Sequence, residues 1–200
     1  MNTVFFDLGN VLIFFSLEKM FDQLAACMSV PVVTLRDHSQ RERLAEQYEV
    51  GKLTSEQVYK SLQKLAPSRF SFQEMMHAMG NIFTPNTQLW PIVETLHMQG
   101  ARLVLLSNTN ECHFQFAYAA FPILRLFDHY VLSYQVGARK PDAEIFKRAL
   151  QEAKGEKRFY TDDIPAFVEA GRSVGLDAEV FHDVPTLKQQ LIEREILRKD

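Results

Sequence analysis

Cysteine is nearly absent: Cys27 and Cys112 are the only two in 200 residues. Two thiols without ligand spacing exclude a disulfide framework and a cysteine-rich metal site. Each reads as a buried or half-buried thiol. Six histidines are present, none in a close pair at helical ligand spacing. Excess charge of one sign is also lacking, because 22 Lys and Arg face 25 Asp and Glu for a net charge of −3. That balance leaves no electrostatic footprint for nucleic acid. With 8 Gly, 8 Pro and no biased tract or internal repeat, collagen-like and low-complexity classes fall away. No apolar run approaches a membrane span. Residues 3–17 are apolar, but no Lys or Arg precedes them and Asp7 interrupts them, unlike a secretory signal. The expectation is a cytoplasmic protein with neither membrane nor nucleic-acid partners.

What is present suits a globular core. Hydrophobic residues make up 46% and charged residues 24%, enough at this length to bury a core without staples. Thr3 to Leu8 is a continuous apolar run rich in β-formers that ends at Gly9-Asn10, which reads as a buried parallel strand and a turn. Arg102–Ser107, His129–Ser133, Arg158–Asp162 and Ala178–Phe181 read as four more strands. Helical stretches lie between them, at about 86–99, 111–120, 143–153 and 165–174, with another at about 185–197. This alternation predicts an α/β fold, a Rossmann-like parallel sheet flanked by helices. Leu17 to Met79 breaks it, with no convincing strand and a helix start at Thr54-Ser55-Glu56-Gln57. The expected organisation is a core of residues 1–15 and 82–200 with a small helical cap, 16–81, inserted after strand one. Linkers are expected near Phe14–Ser16 and Asn81–Asn86.

Polar residues gather at the strand ends, where open α/β sheets bind ligands. Asp7 ends strand one, Ser107-Asn108-Thr109 ends strand two, and Asp162-Asp163 ends strand four. Lys140 lies in the loop after strand three. If these strands are neighbours, one crevice holds three carboxylates, an ammonium and a hydroxyl/amide pair. Such a set repels itself unless a cation binds, and Mg²⁺ with a phosphate is the natural occupant. Lys140 would neutralise the phosphate, Ser107 would donate to its oxygens, and a carboxylate could act as nucleophile.

The order of these motifs resembles the haloacid dehalogenase superfamily. The matching segments are Phe6-Asp7-Leu8-Gly9-Asn10-Val11-Leu12, Leu106-Ser107-Asn108, Arg139-Lys140-Pro141-Asp142 and Tyr160-Thr161-Asp162-Asp163. The first, with Tyr48-Glu49-Val50-Gly51-Lys52-Leu53-Thr54, is similar to the branch containing bacterial α-glucose-1-phosphate phosphatases. The resemblance implies a Mg²⁺-dependent phosphatase of a small phosphorylated metabolite, such as a sugar phosphate, acting through an aspartyl-phosphate. Asp7 is then the nucleophile and a metal ligand, and Gly9 offers its backbone carbonyl to the metal. Ser107 and Asn108 bind the phosphoryl group, Lys140 balances its charge, and Asp163 with Asp162 completes the metal site.

Two positions depart from the family pattern. Gly9 stands where most phosphatases of the superfamily carry a second Asp as general acid and base, help typically worth about 10²–10⁴-fold. Phe167 stands where close relatives carry Asn or Asp near the metal. Both departures keep two alternatives open: a binding or regulatory protein with this fold, and a metal-independent haloacid dehalogenase, whose halide needs no proton to leave. Phe14, Phe15 and Phe21 either line a substrate lid or pack cap against core. His113 follows the second motif and could face the crevice.

Overall fold

The computed structural model describes residues 2–198. Strand β1 (Thr3–Phe6) leads to a short strand β2 (Ile13–Phe15). Five helices follow: α1 (Leu17–Met28), α2 (Val32–Arg41), α3 (Leu44–Glu49), α4 (Ser55–Gln63) and α5 (Phe72–Gly80). A second short strand, β3 (Phe83–Pro85), returns the chain to the sheet. From there helices and strands alternate: α6 (Trp90–Met98), β4 (Arg102–Ser107), α7 (Glu111–Ala120) and β5 (His129–Leu132). The chain ends with α8 (Ser133–Val136), α9 (Ala143–Gln151), β6 (Arg158–Asp162), α10 (Pro165–Ser173), β7 (Asp177–Val180) and α11 (Val184–Glu193).

The five expected strands form one parallel sheet in the order β5-β4-β1-β6-β7. Both faces of β1 are covered, which is why its sequence is apolar without alternation. Val4 and Phe6 pack with Leu103, Leu105 and Phe159 on one face, while Phe5 packs with Val104, Leu106 and Tyr160 on the other. The sheet grows from β1 to β4 and β5, then crosses to β6 and β7. The direction of growth therefore reverses beside β1, and the crevice at a carboxyl edge opens at that switch point. Asp7, Ser107 and Asp162 all end strands there.

The two segments read as linkers are strands. Residues 13–15 and 83–85 pair antiparallel, with Phe14 opposite Thr84, and carry the chain out to the helices and back. Three residues are too few to show a period, and the partners lie far apart in sequence, so local pattern gives no sign of the pairing. The helix expected from residue 86 starts at Trp90, because Asn86 is used elsewhere: its N–H and Nδ2 donate to the carbonyls of Leu12 and Val11.

The inserted helices build their own core. Thr54 and Ser71 start α4 and α5 with reciprocal capping boxes closed by Gln57 and Glu74. Leu24, Met28, Leu35, Val58, Leu62, Met75 and Met79 then pack together, and Cys112 of α7 joins them. Cys112 is buried and Cys27 half-buried, as expected. The helices are seated on the sheet unit by polar contacts as well. Glu49 pairs with Arg139 at 3.1 Å, and Cys112 N donates to Tyr48 Oη at 3.0 Å. Gly51, at φ +67°, passes so close to Tyr134 that a Cβ there would lie 2.1 Å from its carbonyl oxygen.

Candidate active site

The carboxyl edge brings the sequence-predicted residues together around Lys140. This lysine is fully buried. Its Nζ donates to Asp7 Oδ1 at 2.7 Å, to Asp162 Oδ2 at 2.5 Å and to the Leu106 carbonyl at 3.0 Å. The period of two explains the convergence. Asp7 continues the face of Phe5, and Asp162 continues the face of Tyr160, so both carboxylates emerge on one side of the sheet. Tyr160 Oη also donates to Asp162 Oδ2, and Ile164 N donates to Asp162 Oδ1 at 2.9 Å. Asp163 is half-buried and accepts from Asn10 Nδ2 at 3.0 Å.

Asp7, Asp162 and Asp163 can each offer one oxygen within a 4.8 Å cluster. Three carboxylates against one ammonium leave a formal charge of −3 + 1 = −2 at the edge of a buried crevice. Burial pushes Asp7 up to about 7, opposed by the Lys140 charge and reinforced by Asp162. For Lys140, burial alone would lower the pKa, but Asp7 and Asp162 outweigh it and hold the ammonium above its ordinary value. Lys140 is therefore charged, and the site still lacks positive charge. An all-oxygen donor set with a deficit of two charges fits a hard divalent cation. Among the described residues, Asp7 Oδ2 and Asp163 Oδ1 accept no side-chain hydrogen bond, whereas both oxygens of Asp162 accept from its neighbours.

The loop after β4 is braced on two sides. Asn108 clamps the backbone of Lys140, accepting from its N–H at 2.7 Å and donating to its carbonyl at 3.0 Å. Its side chain is thus engaged in placing the lysine, and its backbone N–H is left for the phosphoryl contact expected of Asn108. Ser133 Oγ accepts from Thr109 N and donates to Thr109 O, both at 2.9 Å. Ser107 is buried at 2% exposure, and its hydroxyl makes only a long 3.4 Å contact to the Asn108 carbonyl. That hydroxyl is only weakly engaged and can donate into the crevice.

Aromatic rings stand at both positions that depart from the family pattern. A Cβ at Gly9 would lie 2.8 Å from Phe15 Cε1, so this ring occupies the space a side chain would take. Phe15 is nevertheless 40% exposed, and Phe14 45%, so neither is cap-to-core packing alone. Phe167 places its ring 5.2 Å from Lys140 Nζ, and Tyr160 lies at 5.9 Å on a second side, both within cation–π range. His113 is half-buried beside the crevice, with its Nε2 buried, rather than in contact with the carboxylates. Asn110 Oδ1 accepts from its N–H, which turns Asn110 Nδ2 toward Nδ1 at 3.0 Å. The ring proton therefore sits on Nε2. Burial pushes His113 down to about 4, with the nearby Met79 carbonyl offsetting part of the shift.

Tyr160 and Asn10 belong to this site and were not singled out for it in the sequence. Tyr160 was within reach, since it shares a strand face with Asp162. Asn10 gave only a turn signal, which its φ of +56° matches. Phe15 is marked in the sequence as a lid or packing aromatic, but its contact with Gly9 depends on the β2 turn.

A parallel sheet with this strand order, and Asp7, Lys140 and an acidic pair at its carboxyl edge, defines a hydrolase class. The chain belongs to the family of haloacid dehalogenase-like hydrolases, which residues 1–175 match. Among curated proteins it is similar to a D-ribitol-5-phosphate phosphatase of Bacteroides thetaiotaomicron, 24% identical over 183 residues, covering 87% of this chain and 88% of the relative. Among solved structures it resembles a haloacid dehalogenase family enzyme of the same organism. That likeness has a TM-score of 0.80 at 21% identity, covering 94% of this chain and 98% of the other. A complex of that organism's family enzyme with magnesium and inorganic phosphate gives a TM-score of 0.72 at 21% identity and the same coverage. Among the described residues, no helix is long and apolar enough to cross a membrane.

Proposed function

We propose that this chain is a Mg²⁺-dependent phosphatase of a small phosphorylated metabolite, with Asp7 as the nucleophile. One observation carries the reading: Lys140 is locked between Asp7 and Asp162, with Asp163 completing an oxygen cluster at the switch point. Asp7, Asp163 and the Gly9 carbonyl would hold Mg²⁺, with Asp162 fixing Lys140 and closing the cluster. When bound, Mg²⁺ supplies charge neutralisation for the phosphoryl oxygens.

The remaining roles fall to the chain's own groups. Lys140 holds Asp7 in place and offers positive charge to the phosphoryl group. Ser107 Oγ and the amides of Asn108 and the loop leading into α7 would donate to its oxygens. The free oxygen of Asp7 attacks phosphorus, the bond to the leaving oxygen breaks, and an aspartyl-phosphate forms. Water then attacks that phosphorus and regenerates the carboxylate. The magnesium and phosphate held by a family enzyme of B. thetaiotaomicron, and the phosphatase name of the curated relative, support this reading. Metal-independent dehalogenation would have no use for the third carboxylate.

The test is phosphate release from a panel of phosphomonoesters, with Mg²⁺ and with chelator, for the wild type and Asp7→Asn. The expected result is Mg²⁺-dependent release that vanishes in the variant, and an acid-stable mass increase of one phosphoryl group on Asp7 in quenched wild type. Release that survives Asp7→Asn would refute the assignment.

A further inference from the structure

Among the described residues, no carboxyl group beside Asp7 is left to protonate a departing alkoxide. Gly9 has no side chain, Asn10 is bonded to Asp163, and Asp162 is held by Lys140, Tyr160 and Ile164 N. Phe15 covers Gly9 on the side a carboxyl group would occupy. General acid help, worth about 10²–10⁴-fold, is therefore not supplied from the sheet edge, and the one carboxyl group lining the neighbouring cavity, Glu49, is held by Arg139. A leaving oxygen that is stable as an anion does not need it.

A second observation concerns where the rest of the substrate goes. A cavity of about 140 Å³ lies between the inserted helices and the start of α7. Its walls include Leu24, Leu35, Leu44, Val58, Leu62 and Met79. It meets the core at Asn110 and His113, just beyond Ser107 on the loop and helix that frame the crevice. An apolar cavity of about 150 Å³ takes up a benzene ring. Most of the polar groups lining it are already committed. Tyr48 Oη binds Ser55 and Cys112 N, Asn110 binds His113, and Glu49 pairs with Arg139. His113 Nε2, buried and carrying a proton, makes no hydrogen bond of ordinary geometry, and its one partial partner is the Met79 carbonyl. The cavity thus presents an apolar surface of ring size and one incompletely satisfied donor. A polyol chain placed there would leave most of its hydroxyls desolvated and unpaired.

We propose that the substrate is an aryl phosphate: a phosphomonoester whose leaving oxygen is borne by a flat, apolar ring seated under the inserted helices, with His113 Nε2 donating to a polar atom on it. This rests on the phosphatase reading above and narrows its substrate class. Asp7 forms the new P–O bond as the P–O(aryl) bond breaks. The electron pair departs on the aryl oxygen, where the ring delocalises it, and that oxygen takes its proton from water afterwards. A second water adds to the aspartyl-phosphate, and the products are a phenol and inorganic phosphate.

The test is Asp7-dependent phosphate release with Mg²⁺ from 4-nitrophenyl, phenyl and ethyl phosphates, from ribitol 5-phosphate and from acetyl phosphate. The expected result is kcat/KM falling steeply with leaving-group basicity, with phenyl phosphate about 100-fold or more above ethyl phosphate and ribitol 5-phosphate. Comparable turnover of ribitol 5-phosphate and phenyl phosphate overturns the aryl assignment and leaves the phosphatase standing. Failure to release phosphate even from acetyl and 4-nitrophenyl phosphates overturns the phosphatase reading and the assignment with it. A Gly9→Asp/Phe15→Ala protein, which regains a carboxyl group, is expected to narrow the phenyl-to-ethyl ratio by about tenfold or more. An unchanged ratio overturns the part given to Gly9 and Phe15. His113→Phe, which fills the polar end of the cavity, is expected to raise KM for phenyl phosphate more than for acetyl phosphate; equal shifts overturn the cavity assignment.

Discussion

Replacing Gly51 by Ala isolates the close approach that seats the inserted helices on the sheet. Gly51 and Gly137 both adopt left-handed backbone, at φ +67° and +79°. Alanine in that conformation costs about 1–2 kcal/mol at either position. The surroundings differ. At Gly137 a Cβ would meet nothing within 4 Å, whereas at Gly51 it would lie 2.1 Å from the Tyr134 carbonyl oxygen. Reaching an ordinary contact of 3.4 Å requires a displacement of 3.4 − 2.1 = 1.3 Å, and the obstacle is backbone rather than a side-chain tip. The loop must lift away, which strains the Glu49–Arg139 pair two residues earlier and the Tyr48–Cys112 hydrogen bond. Overpacking of this kind costs about 1–3 kcal/mol further. Gly137→Ala is therefore expected to lose about 1–2 kcal/mol, and Gly51→Ala about 2–5 kcal/mol. Urea unfolding at equilibrium measures both, with the midpoint and slope read together. Equal losses in the two variants would refute the claim that Gly51 is required by a contact and not by its φ alone.

Lys140→Met leaves Asp7 and Asp162 facing each other without a counter-charge, and is expected to destabilise the protein by about 3–5 kcal/mol near pH 8, measured by urea unfolding. His113 yields a pH prediction: its pKa of about 4 lies below the ordinary 6.5, so between those values the unfolded chain binds a proton the native chain refuses. Stability is then intact above about pH 6.5 and falls as pH drops toward 4, by about 3 kcal/mol from this group. Unfolding of His113→Gln across the same range should lack that increment, and a parallel pH profile would count against it. Asn10→Gly keeps the left-handed turn and removes the bond to Asp163; the Mg²⁺ concentration for half-maximal phosphate release is expected to rise about tenfold.

Much of the framework was legible because it rests on local pattern. Apolar runs marked the strands, the central ones buried on both faces, and the polar residues that end or follow β1, β4 and β6 marked the carboxyl edge. That is why Asp7, Ser107 and Asp162 could be placed at one end of a sheet before any contact was known. The capping boxes at Thr54 and Ser71 mark helix starts in the same way, since the bonds they make are only three residues long. The roles within the cluster were less legible. Nothing in the sequence shows that the Asn108 side chain clamps the backbone of Lys140.

Residues 3–8 by themselves determined a buried strand ending in a carboxylate, and the chain as a whole determined a five-stranded sheet with a helical insertion. Tertiary structure decided what stands around the carboxylate. An aromatic residue looks the same in sequence whether it fills a core, covers a lysine as Phe167 does, or replaces an absent side chain as Phe15 does over Gly9. The same holds for the pairing of residues 13–15 with 83–85 and for the cavity that His113 borders. These features depend on contacts between distant segments, whose energies come from how surfaces meet in space, and no spacing along the chain encodes them.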